Sequence, residues 1–184
     1  MTPEEVLQDV LSKLDQCGIA HMITGSFASN AHGVPRATYD ADVVIESDRQ
    51  SLESLLESLE SEFYASPEAA KEALARRRMF NIVHLATGLK VDFIIRKARP
   101  FSEEEFRRRK QLAFLGALYW FATAEDVILS KLEWSKAGGS DRQFADAVGV
   151  ARVQRDSLDW TYLGKWAREL GVQELLDRLT GEIA

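Results

Sequence analysis

One stretch, residues 19–45, restricts the possible folds more than any other part of the chain. An apolar run at 19–23 is followed by Gly25-Ser26, a small-residue segment, a loop holding Gly33 and Pro35, and the β-branched run Asp40-Ala41-Asp42-Val43-Val44-Ile45. The first run reads as a strand, Gly25-Ser26 as a tight turn opening a short helix to about His32, and 39–45 as a second strand. Strand side chains alternate between faces, so Asp40 and Asp42 point one way while Tyr39, Ala41 and Val43 point the other. Two adjacent carboxylates repel unless a cation neutralises them, and oxygen donors of this kind suit a hard ion such as Mg²⁺. A Gly-Ser turn at the mouth of a helix offers N–H groups and a hydroxyl to a phosphate. Arg36 and Thr38, just before the acids, can touch that phosphate or fix the loop.

The remaining chain supplies support for those two strands. Thr2-Pro3-Glu4-Glu5 is a capping box, followed by Val6, Leu7, Val10, Leu11 and Leu14 at helical spacing and Gly18 as a stop. Further helices are expected from Ser47-Asp48, with Leu52, Leu55, Leu56 and Leu59 buried, and from Ser66-Pro67 to the arginines at 76–78. Residues 80–86 and 89–95 read as a hairpin around Thr87-Gly88. In its second strand Leu89, Val91, Phe93 and Ile95 share a face, and Lys90, Asp92 and Ile94 share the other. Asp92 is an acid in an apolar strand, where a charge must be exposed or paired. It either pairs with Lys90 or Arg96, or joins Asp40 and Asp42 as a third carboxylate.

After residue 100 the pattern becomes helical. Ser102-Glu103-Glu104-Glu105 reads as a capping box for a basic helix to about Gln111, and 112–121 as partly extended with a break at Gly116. Helices capped by Thr123, Ser140 and Asp159 follow, with a last one over 173–179. Trp134, Trp160 and Trp166 are assigned to helix packing. The resulting class is α+β, a mixed sheet flanked by helices and followed by a small helical bundle. The division expected is 1–100 for the core and 101–184 for the helical part.

Composition narrows the function classes. At 184 residues and 46% hydrophobic, the chain has material for a substantial core. No apolar run is long enough to span a bilayer, and no signal-peptide core opens the sequence. A single cysteine, Cys17, forms no internal disulfide, so a cytoplasmic location is expected. The net charge of −6 argues against a general nucleic-acid coat. Residues 76–110 nevertheless hold 11 Lys/Arg against 4 Asp/Glu, so this segment either attracts a triphosphate or RNA or forms solvated helix faces.

The combination of Gly25-Ser26, a short helix, Asp40-x-Asp42 and a later strand acid at Asp92 resembles the DNA polymerase β-like nucleotidyltransferase superfamily. The segment from His32-Gly-Val-Pro-Arg36 to Asp42 is similar to the minimal bacterial nucleotidyltransferases of the AbiEii toxin-like group. Glu125-Asp126-Val127-Ile128-Leu129-Ser130-Lys131-Leu132 matches a helix of the same group, as do Arg142 and Asp146 on the next one. The resemblance implies a nucleotidyltransferase-type sheet and transfer of a nucleoside monophosphate from an NTP to a hydroxyl or phosphate, releasing pyrophosphate. Asp40, Asp42 and Asp92 would hold Mg²⁺ or Mn²⁺, and Asp92 would assist deprotonation of the acceptor. Gly25 and Ser26 would cradle phosphates, with Arg36 and Thr38 near them, and Lys131 would neutralise nucleotide charge. From its own surroundings, Lys131 can equally pair with Glu125 or Glu133, and Arg142 with Asp146 one turn away. The acceptor stays open: an RNA such as tRNA, a protein or a small molecule. The alternatives are a non-catalytic nucleotide- or partner-binding half of a toxin–antitoxin pair, with a partner protein encoded nearby, and a phosphate-ester hydrolase.

Overall fold

In the computed structural model, which describes residues 1–184, the capping box at the start of the chain is formed. The Thr2 hydroxyl accepts from the Glu5 N–H at 3.2 Å, and the Thr2 N–H donates to the Glu5 carboxylate at 2.7 Å. This starts α1 (Pro3–Gln16), whose Val6, Leu7, Val10, Leu11 and Leu14 are all buried. There follow β1 (Ala20–Thr24), α2 (Gly25–His32), β2 (Asp40–Glu46), α3 (Arg49–Leu59), β3 (Phe63–Ala65) and α4 (Pro67–Arg76). The chain continues as β4 (Met79–His84), β5 (Lys90–Ile95), α5 (Pro100–Arg108), β6 (Lys110–Phe114) and β7 (Ala117–Phe121). It ends in α6 (Ala124–Gly138), α7 (Asp141–Gln154), α8 (Trp160–Glu169) and α9 (Gln173–Ile183).

Two compact units are present. The first comprises Met1–Ile23 and Thr38–Phe121, the second Thr24–Ala37 and Ala122–Ala184. In the first, seven strands form one mixed sheet in the order β3-β4-β5-β2-β1-β7-β6. β2 and β5 run parallel, as do β1 and β7, whereas β3–β4, β4–β5 and β6–β7 are antiparallel. Ala41, Val43, Ile45, Val91 and Phe93 occupy a buried face, as strand alternation requires. The leucines of α3 are buried too, each contributing about 1.5–3 kcal/mol of apolar burial, and α3 packs on α1. In the second unit α6 and α7 pack closely together, and α2 packs against both. Each helix there begins on a side-chain cap where the sequence placed one: Thr123, Ser140 and Asp159 accept from the N–H three residues on. No helix is long and apolar enough to cross a membrane.

Several details depart from the local signals. β3 spans three residues, too few for alternation to mark it. α5 starts at Pro100, not at the capping box read at Ser102, because proline suits the first helical turn; the Ser102 hydroxyl accepts from Arg99 Nε at 2.9 Å instead. The extended part of 112–121 is a full hairpin reaching back to Lys110, turning at Leu115-Gly116 with φ of 48° and 83°. Trp166 is buried as expected, but Trp134 is 53% exposed beside the exposed last turn of α6. The units also differ from a single division after residue 100. Residues 24–37 fold with the C-terminal helices, and 110–121 stay with the sheet because β7 pairs with β1.

Candidate active site

The acids of the first unit are brought together by strand register. Along the parallel β2–β5 pair, Asp40 lies opposite Lys90 and Asp42 opposite Asp92. Residues in direct register face the same side of a sheet, so Asp40, Asp42, Lys90 and Asp92 share one face. Antiparallel β4 adds Asn81 opposite Asp92. The third acid therefore stands beside the Asp-x-Asp pair, across one strand spacing. The Thr38 hydroxyl donates to the Asp40 carbonyl at 3.0 Å and so shapes the entry to β2.

The local charge is not left to the acids alone. Lys90 Nζ donates to Asp92 Oδ2 at 2.8 Å and lies 3.8 Å from Asp40 Oδ1. The hydrogen bond to Asp92 outweighs burial and, with the charges of Asp92, Asp40 and Asp42, raises the Lys90 ammonium above its ordinary pKa. Asp92 is thus paired with Lys90, one of the two partners its sequence context allowed; Arg96 is engaged by Glu46 and Glu103 instead. As the side chains stand, no three acids or histidines are gathered closely enough to hold a metal ion. In chemical type the donors do fit one: carboxylate oxygens from two adjacent strands, the set a hard divalent cation takes.

The second unit carries a different cluster, built on α2, the loop after it, α6 and α7. Gly25 opens α2 with φ +59°, a left-handed conformation that glycine adopts without a Cβ penalty. Asn30 then clamps the loop: its Nδ2 donates to the Arg36 carbonyl at 2.7 Å and its Oδ1 accepts from the Arg36 N–H at 3.1 Å. So held, Arg36 forks onto Asp146 through Nε at 2.9 Å and Nη2 at 2.8 Å, and Nη2 also donates to Ser26 Oγ at 3.0 Å. Lys131, only 3% exposed, donates to the same Asp146 at 2.9 Å. Burial alone would push the Asp146 carboxyl up, but the hydrogen bonds and charges of Arg36 and Lys131 together hold it below its ordinary value. Two cations share one carboxylate, which leaves a surplus positive charge beside Ser26.

These partners were not the ones suggested by sequence neighbourhood. Lys131 pairs with Asp146, not with Glu125 or Glu133, and Asp146 turns to Arg36, not to Arg142 one turn away. Sequence reading also missed Asn30, whose amide recognises the backbone of Arg36 without any motif to mark it. His32 is structural, with Nε2 at 2.8 Å from the Ala122 carbonyl and its own carbonyl accepting from Gln154 Nε2 at 2.8 Å. Asp126, fully buried, accepts from the Thr123 hydroxyl at 2.6 Å and the Tyr162 hydroxyl at 2.6 Å, and Glu125 accepts from the Asp159 N–H at 3.0 Å, so the Glu-Asp of the α6 motif ties the start of α6 to the start of α8. In the basic segment, Arg76 pairs with Glu72, Arg96 with Glu46 and Glu103, and Arg107 with Glu104. Part of its positive charge is met locally.

No family model and no curated protein matches the sequence. Among solved structures, an antigenic nucleotidyltransferase-like protein from Paracoccidioides brasiliensis superposes with a TM-score of 0.69 at 18% identity, over 98% of this chain and 88% of that one. The fold is nucleotidyltransferase-like. ANT(2'')-Ia in complex with adenylyl-2''-tobramycin matches with a TM-score of 0.57 and 14% identity, covering 100% of both chains. The solution structure of the antibiotic-resistance factor ANT(2'')-Ia gives 0.57 at 13%, over 95% of this chain and 90% of that one. At such identities the common property is the nucleotidyltransferase-like fold, a mixed sheet followed by helices.

Proposed function

We propose that the chain is a metal-dependent nucleotidyltransferase, moving a nucleoside monophosphate from an NTP to a hydroxyl or phosphate acceptor with release of pyrophosphate. The observation that carries this reading is the register of β2 and β5, which sets Asp92 opposite Asp42 and on the same face as Asp40. Asp40, Asp42 and Asp92 would hold Mg²⁺ or Mn²⁺. A divalent ion bound there supplies charge neutralisation at the triphosphate and a lower pKa for the acceptor hydroxyl. With a hydroxyl acceptor, its oxygen bonds to the α-phosphorus as the bond from that phosphorus to the bridging oxygen breaks. Pyrophosphate leaves with the electron pair, and a carboxylate oxygen of Asp92 receives the hydroxyl proton.

Contacts to phosphate are assigned to Gly25, Ser26 and Arg36, with Lys131 adding its charge from behind Asp146 and Thr38 fixing the approach to Asp40. Their support is the surplus positive charge of the Arg36–Asp146–Lys131 cluster and the open start of α2. Within that cluster Arg36, with 27% of its side chain exposed, is the cation able to touch a ligand; Lys131, at 3%, balances Asp146 and keeps Arg36 aimed. The narrower relationship to AbiEii-like proteins rests on the motifs at 32–42 and 125–132 and belongs to the same proposal.

The test is incubation with each labelled NTP, Mg²⁺ or Mn²⁺, and acceptors that include bulk tRNA. Label transfer with pyrophosphate release, lost in Asp40→Ala and Asp42→Ala, is the expected result. Transfer that survives Asp42→Ala overturns the site assignment. Nucleotide binding without turnover points instead to the non-catalytic member of a toxin–antitoxin pair, and release of free nucleotide with no labelled acceptor to a hydrolase.

A further inference from the structure

Lys90 stands among three carboxylates, and neither the fold nor the transfer reading assigns it a task. It is in register with Asp40 and two residues from Asp92 on the same strand face. Its ammonium is hydrogen-bonded at 2.8 Å to Asp92, whose side chain is only 8% exposed. The three acids carry three negative charges and Lys90 returns one. Lys90 occupies Oδ2, one of the two Asp92 oxygens with which a metal ion would be held. Lys90 itself is 38% exposed on a flexible four-carbon stem and can swing into water, unlike Lys131, which is 3% exposed and enclosed.

We infer that Lys90 is a built-in counter-ion of the carboxylate cluster, which must leave Asp92 when a divalent ion enters and which thereby lowers the affinity of the chain for free metal. The inference rests on the reading of Asp40, Asp42 and Asp92 as metal ligands. In the resting chain the ammonium relieves repulsion between the acids, at the cost of competing for their oxygens. Metal occupancy is consequently set by the exchange of one tethered cation for one free one, and Lys90 is a positioning residue of the site, not a catalytic one.

Mn²⁺ alone is the probe, titrated into the full chain without nucleotide and followed by electron paramagnetic resonance. Removing one unit charge from beside a doubly charged ion is worth roughly a factor of ten even in a water-like dielectric. Lys90→Met is therefore expected to bind Mn²⁺ about tenfold more tightly than the unaltered chain, and Lys90→Arg, which keeps the charge, no more tightly than it. Equal or weaker binding by Lys90→Met overturns the inference while leaving the metal site standing. No Mn²⁺ binding by either the unaltered chain or Lys90→Met overturns it together with the transfer reading. A second measurement needs no variant: acetylation of Lys90 in the unaltered chain, read by mass spectrometry against exposed Lys110, is expected to rise when Mn²⁺ saturates the site. Unchanged labelling at saturation overturns the inference even if Lys90→Met fails to fold.

Discussion

Replacing Asp146 by Asn keeps the shape of the side chain and one carbonyl acceptor but removes the charge shared by Arg36 and Lys131. Taking away one member of a buried ion cluster costs about 3–5 kcal/mol, because the remaining charge is stranded. Here the side chains of Asp146 and Arg36 are 11% and 27% exposed, so water screens part of the loss, while Lys131 at 3% is given no such relief. The lower end, about 3 kcal/mol, is the expected loss. For a chain of this size that corresponds to a fall in Tm of about 6–12 °C, read by circular dichroism at neutral pH. The pH dependence has a definite sign. The folded pKa of Asp146 lies below its unfolded value, so its contribution is fully present above the ordinary carboxylate pKa and is lost as the pH falls through the folded one. The Asp146→Asn chain should therefore lose less stability than the unaltered chain on acidification below about pH 4. Adding Lys131→Met removes the stranded ammonium and should restore part of the loss. A loss below about 1 kcal/mol, the scale of an exposed pair, or a double variant no more stable than Asp146→Asn, would refute the reasoning.

Three further outcomes are expected. Asp92→Asn should lower nucleotidyl transfer by at least about a hundredfold, beyond the effect typical of residues that only support metal ligands, with the far-ultraviolet circular dichroism unchanged. Gly33→Ala places a Cβ 2.9 Å from the Val150 nitrogen and 3.0 Å from the Ser29 carbonyl oxygen; because the atoms met are backbone, the cost should be about 1–3 kcal/mol in urea unfolding. Thr123→Val removes both the α6 cap and a hydroxyl donor to fully buried Asp126 and should cost about 2 kcal/mol, with Thr123→Ser recovering most of it.

What could be read without the structure was governed by neighbours a few residues apart. The caps at Thr2, Thr123, Ser140 and Asp159 each satisfy an N–H three positions on, so local sequence was sufficient to place them. Strand alternation likewise assigned Asp40 and Asp42 to one face, and the apolar stripes of α1 and α3 followed from helical spacing. Trp134 shows the limit of that reasoning: helical position alone does not say whether a tryptophan is covered, and this one is exposed.

The stretch from Gly25 to Ile45 by itself determined a strand, a turn, a short helix and two acids pointing the same way. Tertiary structure decided which residues those acids meet. Register, not composition, put Asp92 opposite Asp42 and the ammonium of Lys90 between Asp92 and Asp40. Packing of α2 with α6 and α7 drew Arg36 to an aspartate 110 positions away, and denied that aspartate to Arg142. Local signals act over one turn or one strand repeat; partners across the fold are chosen by pairing and burial, which no short window of sequence contains.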